Sequence, residues 1–190
     1  MTVLSVLDSC LDWADGVVAA VGADHRDAAT PCPDFTVDGL VAHLVDGLAW
    51  YGALPAGGAT DPREVTGPDL ASGYVEAFRA ARAVVRRNWT PPRLDDTFAL
   101  PVGEVTGVGI TEYTVVEVLG HGWDLAVATG RPVRVADDLA EAALRMARGL
   151  GEDTLRSPGM MGAPTPVDAA APAIDRFVAY LGRRPGSVPG

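Results

Sequence analysis

The first candidates for chemistry in this sequence are a glutamate and a histidine that lie four residues apart. Glu117 and His121 stand in the run EVLGHGWD, so a helix would place both side chains on one face, one turn apart. A carboxylate and an imidazole in that relation can bind one metal ion between them, or can simply hydrogen-bond to each other. The spacing alone leaves both interpretations open.

A second histidine, His43, favours the metal interpretation. The residues at helical spacing around it are small or apolar: Gly39, Leu40, Gly47 and Trp50. An unpaired imidazole facing the interior of a bundle would cost about 1–3 kcal/mol, and a metal shared with Glu117 and His121 would supply its partner. Two histidines and one glutamate form the three-ligand set of catalytic zinc sites, which leaves a fourth position for water or substrate. The alternative is a structural histidine in a polar core network.

Two further polar residues lie near these candidates in the sequence. Asp124 follows His121 by three residues and could accept the free N–H of that imidazole, which would fix its tautomer. The alternative for Asp124 is a hydrogen bond that only anchors the helix near Trp123. Cys32 stands between two prolines in TPCPDF. We expect it to be a buried packing thiol and not a nucleophile, because nothing nearby in the sequence would lower its pKa.

Three other residues receive weaker functional predictions. Trp50 and Trp123 could line a pocket beside the metal, with core packing as the alternative. His25 lies in a polar, aspartate-rich link, where we expect an exposed imidazole without a function.

The elements that must position these residues are helices. Apolar residues recur at intervals of three and four, and the predicted helices cover about 2–21, 36–53, 69–88, 109–129, 137–150 and 170–182. The run TFALPVGEVTG predicts at most a small β-hairpin, and residues 151–168 are expected to be irregular. The fold class is therefore all-α: a single domain, 1–190, with a helical-bundle core over about 1–130 and a C-terminal helical extension over about 131–190.

Composition restricts the partners and the compartment. The 190 residues include 15 arginines, no lysine and 25 acidic residues, for a net charge of −10. Such a chain would be repelled by phosphate backbones and anionic lipid, so nucleic-acid and membrane partners are excluded and small molecules favoured. Two cysteines outside any CxxC pair, no basic leader and no long apolar run predict a cytoplasmic protein in a reducing compartment.

Three segments carry a family resemblance when taken together and in order. TPCPDFTVDGLVAHL (30–44), HGWDLAVATG (121–130) and DRFVAYLGRRP (175–185) resemble the DinB-like helical-bundle family. They most closely resemble its branch of metal-binding proteins related to the N-terminal domain of mycothiol-dependent maleylpyruvate isomerase. The resemblance implies a four-helix core with extra C-terminal helices and a divalent metal, often zinc. Carried over residue by residue, the implied ligands are His43, Glu117 and His121.

The resemblance also implies a function. Related proteins bind a low-molecular-weight thiol such as mycothiol as its thiolate, so we expect a thiol-dependent transferase or isomerase that acts on a small electrophile. The isomerase carries a further C-terminal domain that helps to complete its active site, whereas about 60 residues follow the fourth helix here, so we do not transfer its reaction. The alternatives are a hydrolase or lyase that uses metal-bound water, and a non-catalytic metal-binding stress-response protein. A homodimer is compatible with the fold.

Overall fold

The computed structural model describes residues 1–156 and 161–186 of the chain. Within these ranges the chain forms seven α-helices and one antiparallel hairpin. The helices are α1 Val3–Val18, α2 Val37–Ala53, α3 Tyr74–Asn88, α4 Gly107–Ala128, α5 Asp137–Leu150, α6 Glu152–Leu155 and α7 Ala173–Tyr180, and the strands are β1 Thr97–Leu100 and β2 Gly103–Thr106. The predicted all-α fold with a small hairpin is confirmed.

Threonine side chains begin three of the four long N-terminal helices. Thr2, Thr36 and Thr106 each accept a hydrogen bond from the backbone N–H three residues further on, which satisfies one of the free donors of the first turn. Thr111 lies inside α4, where its hydroxyl donates to the carbonyl of Gly107. The start of α4 at residue 107 therefore follows from Thr106.

The first four long helices pack into a closed arrangement. Helix α1 contacts α3 and α4, and α2 contacts the same two helices from the other side. Helix α5 then packs on α4 and α1, and α7 packs on α5. Because α4 is covered on so many sides, every residue from Thr114 to Ala126 is buried. Polar side chains on that stretch must find partners inside the protein.

The third helix begins later than its apolar pattern predicts. It starts at Tyr74 instead of about residue 69, because Gly73 has φ +108° and interrupts the helical backbone. The preceding residues Leu70–Ser72 form a separate 3₁₀ turn. The periodicity of apolar residues indicates which face of a helix is buried, but it does not predict a local break in the helical backbone.

The ends of the chain differ from prediction in smaller ways. The first helix ends at Val18 instead of 21, and the last spans Ala173–Tyr180 instead of 170–182. The stretch 151–168, predicted to be irregular, contains the one-turn helix α6, and its residues 157–160 lie outside the described part of the chain. Within that described part, no helix combines the length and the apolar character needed to cross a bilayer.

A tight turn at Gly182 ends α7. The Gly182 N–H donates to the carbonyl of Ala179 at 3.0 Å, and the Arg183 N–H donates to that of Val178 at 2.9 Å. This pair of bonds with a left-handed residue is the Schellman pattern. Gly182 has φ +88°, and a Cβ there would lie 2.8 Å from the backbone of Gly162, so both conformation and space favour glycine. The turn directs Arg183 back toward the bundle.

Candidate metal centre

Three side chains from two helices meet in the interior of the bundle. His43 projects from α2, and its Nε2 lies 3.3 Å from Oε2 of Glu117 on α4. Nε2 of His121 lies 3.5 Å from the same oxygen. The imidazole rings are perpendicular, with centroids 5.0 Å apart. One potential ligand atom from each residue lies within 4.8 Å of the other two, so the fold brings together the three residues singled out in the sequence.

Behind the cluster, His121 is fixed by an aspartate that is itself ion-paired. Nδ1 of His121 lies 3.1 Å from Oδ2 of Asp124. Asp124 is 0% exposed and accepts from both Nε and Nη2 of Arg183, at 3.2 and 2.7 Å. Burial raises the pKa of Asp124, but the hydrogen bond from His121 and the charge of Arg183 outweigh it and hold that pKa below its ordinary value. Asp124 is therefore a carboxylate that accepts hydrogen bonds; its role in fixing the His121 tautomer for a metal stays a prediction.

The hydrogen bond between His121 and Asp124 determines the tautomer of His121, and so which ring nitrogen has a lone pair toward the cluster. A carboxylate is only an acceptor, so Nδ1 carries the proton that is donated to Asp124. In the neutral ring Nε2 then presents a lone pair toward Oε2 of Glu117, which is also an acceptor. Two acceptors at 3.5 Å need either a proton shared between them or a bound cation.

In the absence of a cation, the proton takes this position. Burial lowers the pKa of His121, but the Glu117 carboxylate and the hydrogen bond to Asp124 have a larger opposite effect. The net result is a pKa raised to about 9. Burial likewise raises the pKa of Glu117, and the two histidines lower it more strongly, to well below its usual range. The buried carboxylate thus stays charged and holds a proton on its neighbour. Two imidazole nitrogens and one carboxylate oxygen around such a position fit a divalent cation of the zinc type.

The cluster is accessible from one side. The side chain of His43 is 40% exposed, whereas those of Glu117 and His121 are 11% and 6% exposed. A small pocket on the His43 side is lined by His43, Glu117, Gly47, Leu48, Tyr51 and Val118. A ligand from solvent would therefore reach the cluster past His43.

Aromatic residues that the sequence did not single out surround the cluster. The ring of Phe35 stacks on His43 with centroids 5.0 Å apart. The Tyr113 hydroxyl hydrogen-bonds to Glu117, and burial raises the pKa of Tyr113, so that it stays a neutral donor. Burial also raises the pKa of Tyr51. The four-residue spacing of Tyr113 and Glu117 in the sequence could have predicted this contact, because residues four apart on a helix are neighbours.

Cys32, predicted from the sequence to be a packing thiol, lies beside the cluster. It is half-buried, and its sulfur lies within 4.8 Å of ligand atoms of His121 and Asp124. Burial first, and then the charge of Asp124, raises the pKa of Cys32, in agreement with the expectation that it is not an activated thiolate. Because both oxygens of Asp124 are bound by Arg183, the better ligand set is His43, Glu117 and His121.

The remaining predicted residues lie outside the cluster. Trp123 is 3% exposed and belongs to the hydrophobic core, and the indole of Trp50 donates to the carbonyl of Ala59 at 3.1 Å. Core and loop packing therefore account for both tryptophans. His25 lies in the link between α1 and α2, but it is partly buried, and its Nδ1 accepts a hydrogen bond from the Gly22 N–H. It is thus less exposed than expected.

Fold and cluster together define a helical-bundle protein with a candidate centre of two histidines and one glutamate. Residues 7–126 match the family described as mycothiol maleylpyruvate isomerase N-terminal domain. The chain belongs to this family, as the sequence motifs predicted.

Two curated relatives are similar over most of their length. Both are described as uncharacterized proteins of Mycobacterium tuberculosis, from strains CDC 1551 / Oshkosh and ATCC 25618 / H37Rv. Each is 36% identical over 169 residues, which cover 88% of this chain and 90% of the relative. No solved structure gives a significant match.

Proposed function

We propose that this protein binds a divalent cation, zinc by preference, through His43, Glu117 and His121, and uses it in a thiol-dependent transfer or isomerisation of a small electrophile. The observation that supports the proposal most directly is the convergence of the two Nε2 atoms on one oxygen of Glu117, at 3.3 and 3.5 Å. The family description, with its reference to mycothiol, supports a low-molecular-weight thiol as the partner.

The charge of the donor set favours an anionic ligand. Two neutral imidazoles and one carboxylate carry −1, so a divalent cation leaves the centre near +1. A cation bound there would lower the pKa of a thiol at its open position and so supply a thiolate at neutral pH. Cys32 is not needed as the nucleophile, which agrees with its raised pKa.

The residues of the chain divide the remaining tasks. Asp124 keeps the Nε2 lone pair of His121 directed at Glu117, and Tyr113 donates to Glu117. On the open side, Leu48 and Val118 give the pocket apolar walls.

Metal content tests the first half of the proposal. We expect purified wild-type protein to hold about one equivalent of zinc per chain by elemental analysis, and His43→Ala to lose most of it. His25→Ala is the matched control, because it removes an imidazole from the link outside the cluster. Full zinc content in His43→Ala would remove the proposed site.

The thiol half is tested on the cobalt-substituted protein. We expect mycothiol to produce a sulfur-to-cobalt charge-transfer absorption in the wild type, and to be conjugated to model electrophiles. Bound cobalt without any response to the thiol would instead favour the hydrolase or lyase alternative. A thiol response without turnover of any electrophile would favour a binding protein.

A further inference from the structure

Arg183 is a buried cation that the segment after α7 inserts next to the cluster. The Schellman turn at Gly182 directs it inward, and the residue is 7% exposed. Its backbone is also fixed, because its carbonyl accepts a hydrogen bond from the Thr165 hydroxyl. The position of the side chain is therefore set by the fold of the C-terminal segment.

Every nitrogen of the guanidinium has a partner. Nε and Nη2 donate to the two oxygens of Asp124, while Nη1 donates to the carbonyl of Leu181 at 3.0 Å and to the sulfur of Met161 at 3.1 Å. A two-point pair of this kind fixes the plane of the carboxylate as well as its charge. A single-point cation would leave the carboxylate free to rotate.

The orientation of Asp124 in turn determines that of His121. Oδ2 of Asp124, which accepts from Nη2 of Arg183 at 2.7 Å, is also the oxygen that faces Nδ1 of His121 at 3.1 Å. Nη2 lies 3.4 Å from the same Nδ1, so the guanidinium also contacts the imidazole edge. Rotation of the His121 ring would break its bond to Asp124 and move Nε2 away from Glu117.

We propose that Arg183 is a positioning residue of the metal centre and acts through Asp124 on His121. The inference rests on the proposed function, and it adds that the site extends beyond residues 7–126, where the family match lies. The C-terminal segment is thus part of the binding machinery. Arg183 touches none of the three proposed ligand atoms that face the cation.

The zinc affinity of the folded protein tests this proposal. In a competition titration against a chromophoric chelator, we expect Arg183→Met to weaken zinc binding about tenfold, the lower end of the effect of losing a group that orients a metal ligand. Arg184→Met is the matched control, because Arg184 is adjacent in sequence but exposed. We expect that variant to stay within about twofold of the wild type.

A conservative variant separates positioning from charge and from folding. Arg183→Lys keeps the positive charge but lacks the two-point geometry, so we expect it to unfold cooperatively in the metal-free state and still bind zinc more weakly. The visible spectrum of its cobalt form is expected to differ from the wild type, whereas that of Arg184→Met overlays it. If Arg183→Met does not fold, Arg183→Lys provides the test.

The outcomes are distinguishable from those of the proposed function. A folded Arg183 variant with wild-type zinc affinity and an unchanged cobalt spectrum overturns the positioning role and leaves the metal site intact. A wild-type protein that binds no zinc or cobalt overturns both.

Discussion

His121 and His43 face the same carboxylate oxygen, but the protein holds them in different ways. His121 is 6% exposed and is constrained at both ring nitrogens, by Glu117 on one side and Asp124 on the other. His43 is 40% exposed, contacts Glu117 through Nε2, and is further limited by the stacked ring of Phe35.

In the proposed metal site, this difference would separate a fixed ligand, His121, from an accessible one, His43. Buried, multiply bonded groups hold geometry at the cost of access, whereas a half-exposed imidazole can turn as a ligand enters. We infer that α4 provides the rigid half of the site and α2 its entrance.

The largest expected contrast is in the stability of the metal-free protein. His121→Ala leaves two buried carboxylates without their shared partner, and we expect it to lower the free energy of unfolding by about 3 kcal/mol. His43→Ala removes a half-exposed contact, and we expect a loss below about 1 kcal/mol. Urea denaturation in the presence of a chelator measures both.

The control for this contrast is His25→Ala, which removes one hydrogen bond from the link outside the cluster and is expected to lower the free energy of unfolding by about 1 kcal/mol at most. Equal losses for His43→Ala and His121→Ala would show that the two histidines are held alike.

The second expectation concerns pH. The pKa of His121 is raised to about 9, above its ordinary value of about 6.5. The stabilisation from its protonated form is therefore fully present below about pH 6.5 and is lost as the pH rises through about 9. We expect the free energy of unfolding of the metal-free protein to fall by on the order of 2 kcal/mol between about pH 6.5 and 8.5.

The same titration in His121→Ala identifies the group responsible. That variant is expected to show little decline over this window. Burial raises the pKa of Cys10, so its ionisation on unfolding destabilises the fold mainly above its ordinary pKa, beyond the window. A wild-type slope in His121→Ala would assign the decline to another group.

The smallest expected effect is on the exposed side. Phe35→Leu keeps an apolar side chain but removes the ring stacked on His43, a contact worth about 0.5–1.5 kcal/mol. We expect zinc binding to weaken about threefold, and the free energy of unfolding of the metal-free protein to fall by no more than the value of this contact, about 0.5–1.5 kcal/mol. Chelator competition measures the zinc affinity. If Phe35→Leu weakened zinc binding as much as Arg183→Met does, the inference that α4 and not α2 provides the rigid half of the site would be wrong.

The sequence predicted the helices and the three residues of the cluster better than the residues that pack behind the cluster. The apolar periodicity predicted α2 and α4, and the spacing of Glu117 and His121 with the family motifs predicted a cluster with His43. Local pattern carries this information because one helix turn fixes which side chains share a face. The ligand role itself stays a prediction.

Arg183 and Cys32 were beyond such reasoning for a physical reason. Arg183 is 59 residues from Asp124 in sequence, and their pairing depends on how α7 packs on α5 and how the Gly182 turn redirects the chain. Neither packing angle nor turn direction is encoded in local periodicity. The same limit applies to Cys32, whose place beside His121 depends on the path of an irregular link.

The Schellman turn at Gly182 has a thermodynamic consequence. Under the positioning role proposed for Arg183, whose guanidinium is bonded to the carboxylate behind His121, docking of the last helix and occupancy of the cluster would share one coupling free energy, and that coupling would act equally in both directions. A ligand that tightens the cluster would therefore also hold Ala173–Tyr180 against the bundle, and local fraying of this helix would lower the affinity for that ligand.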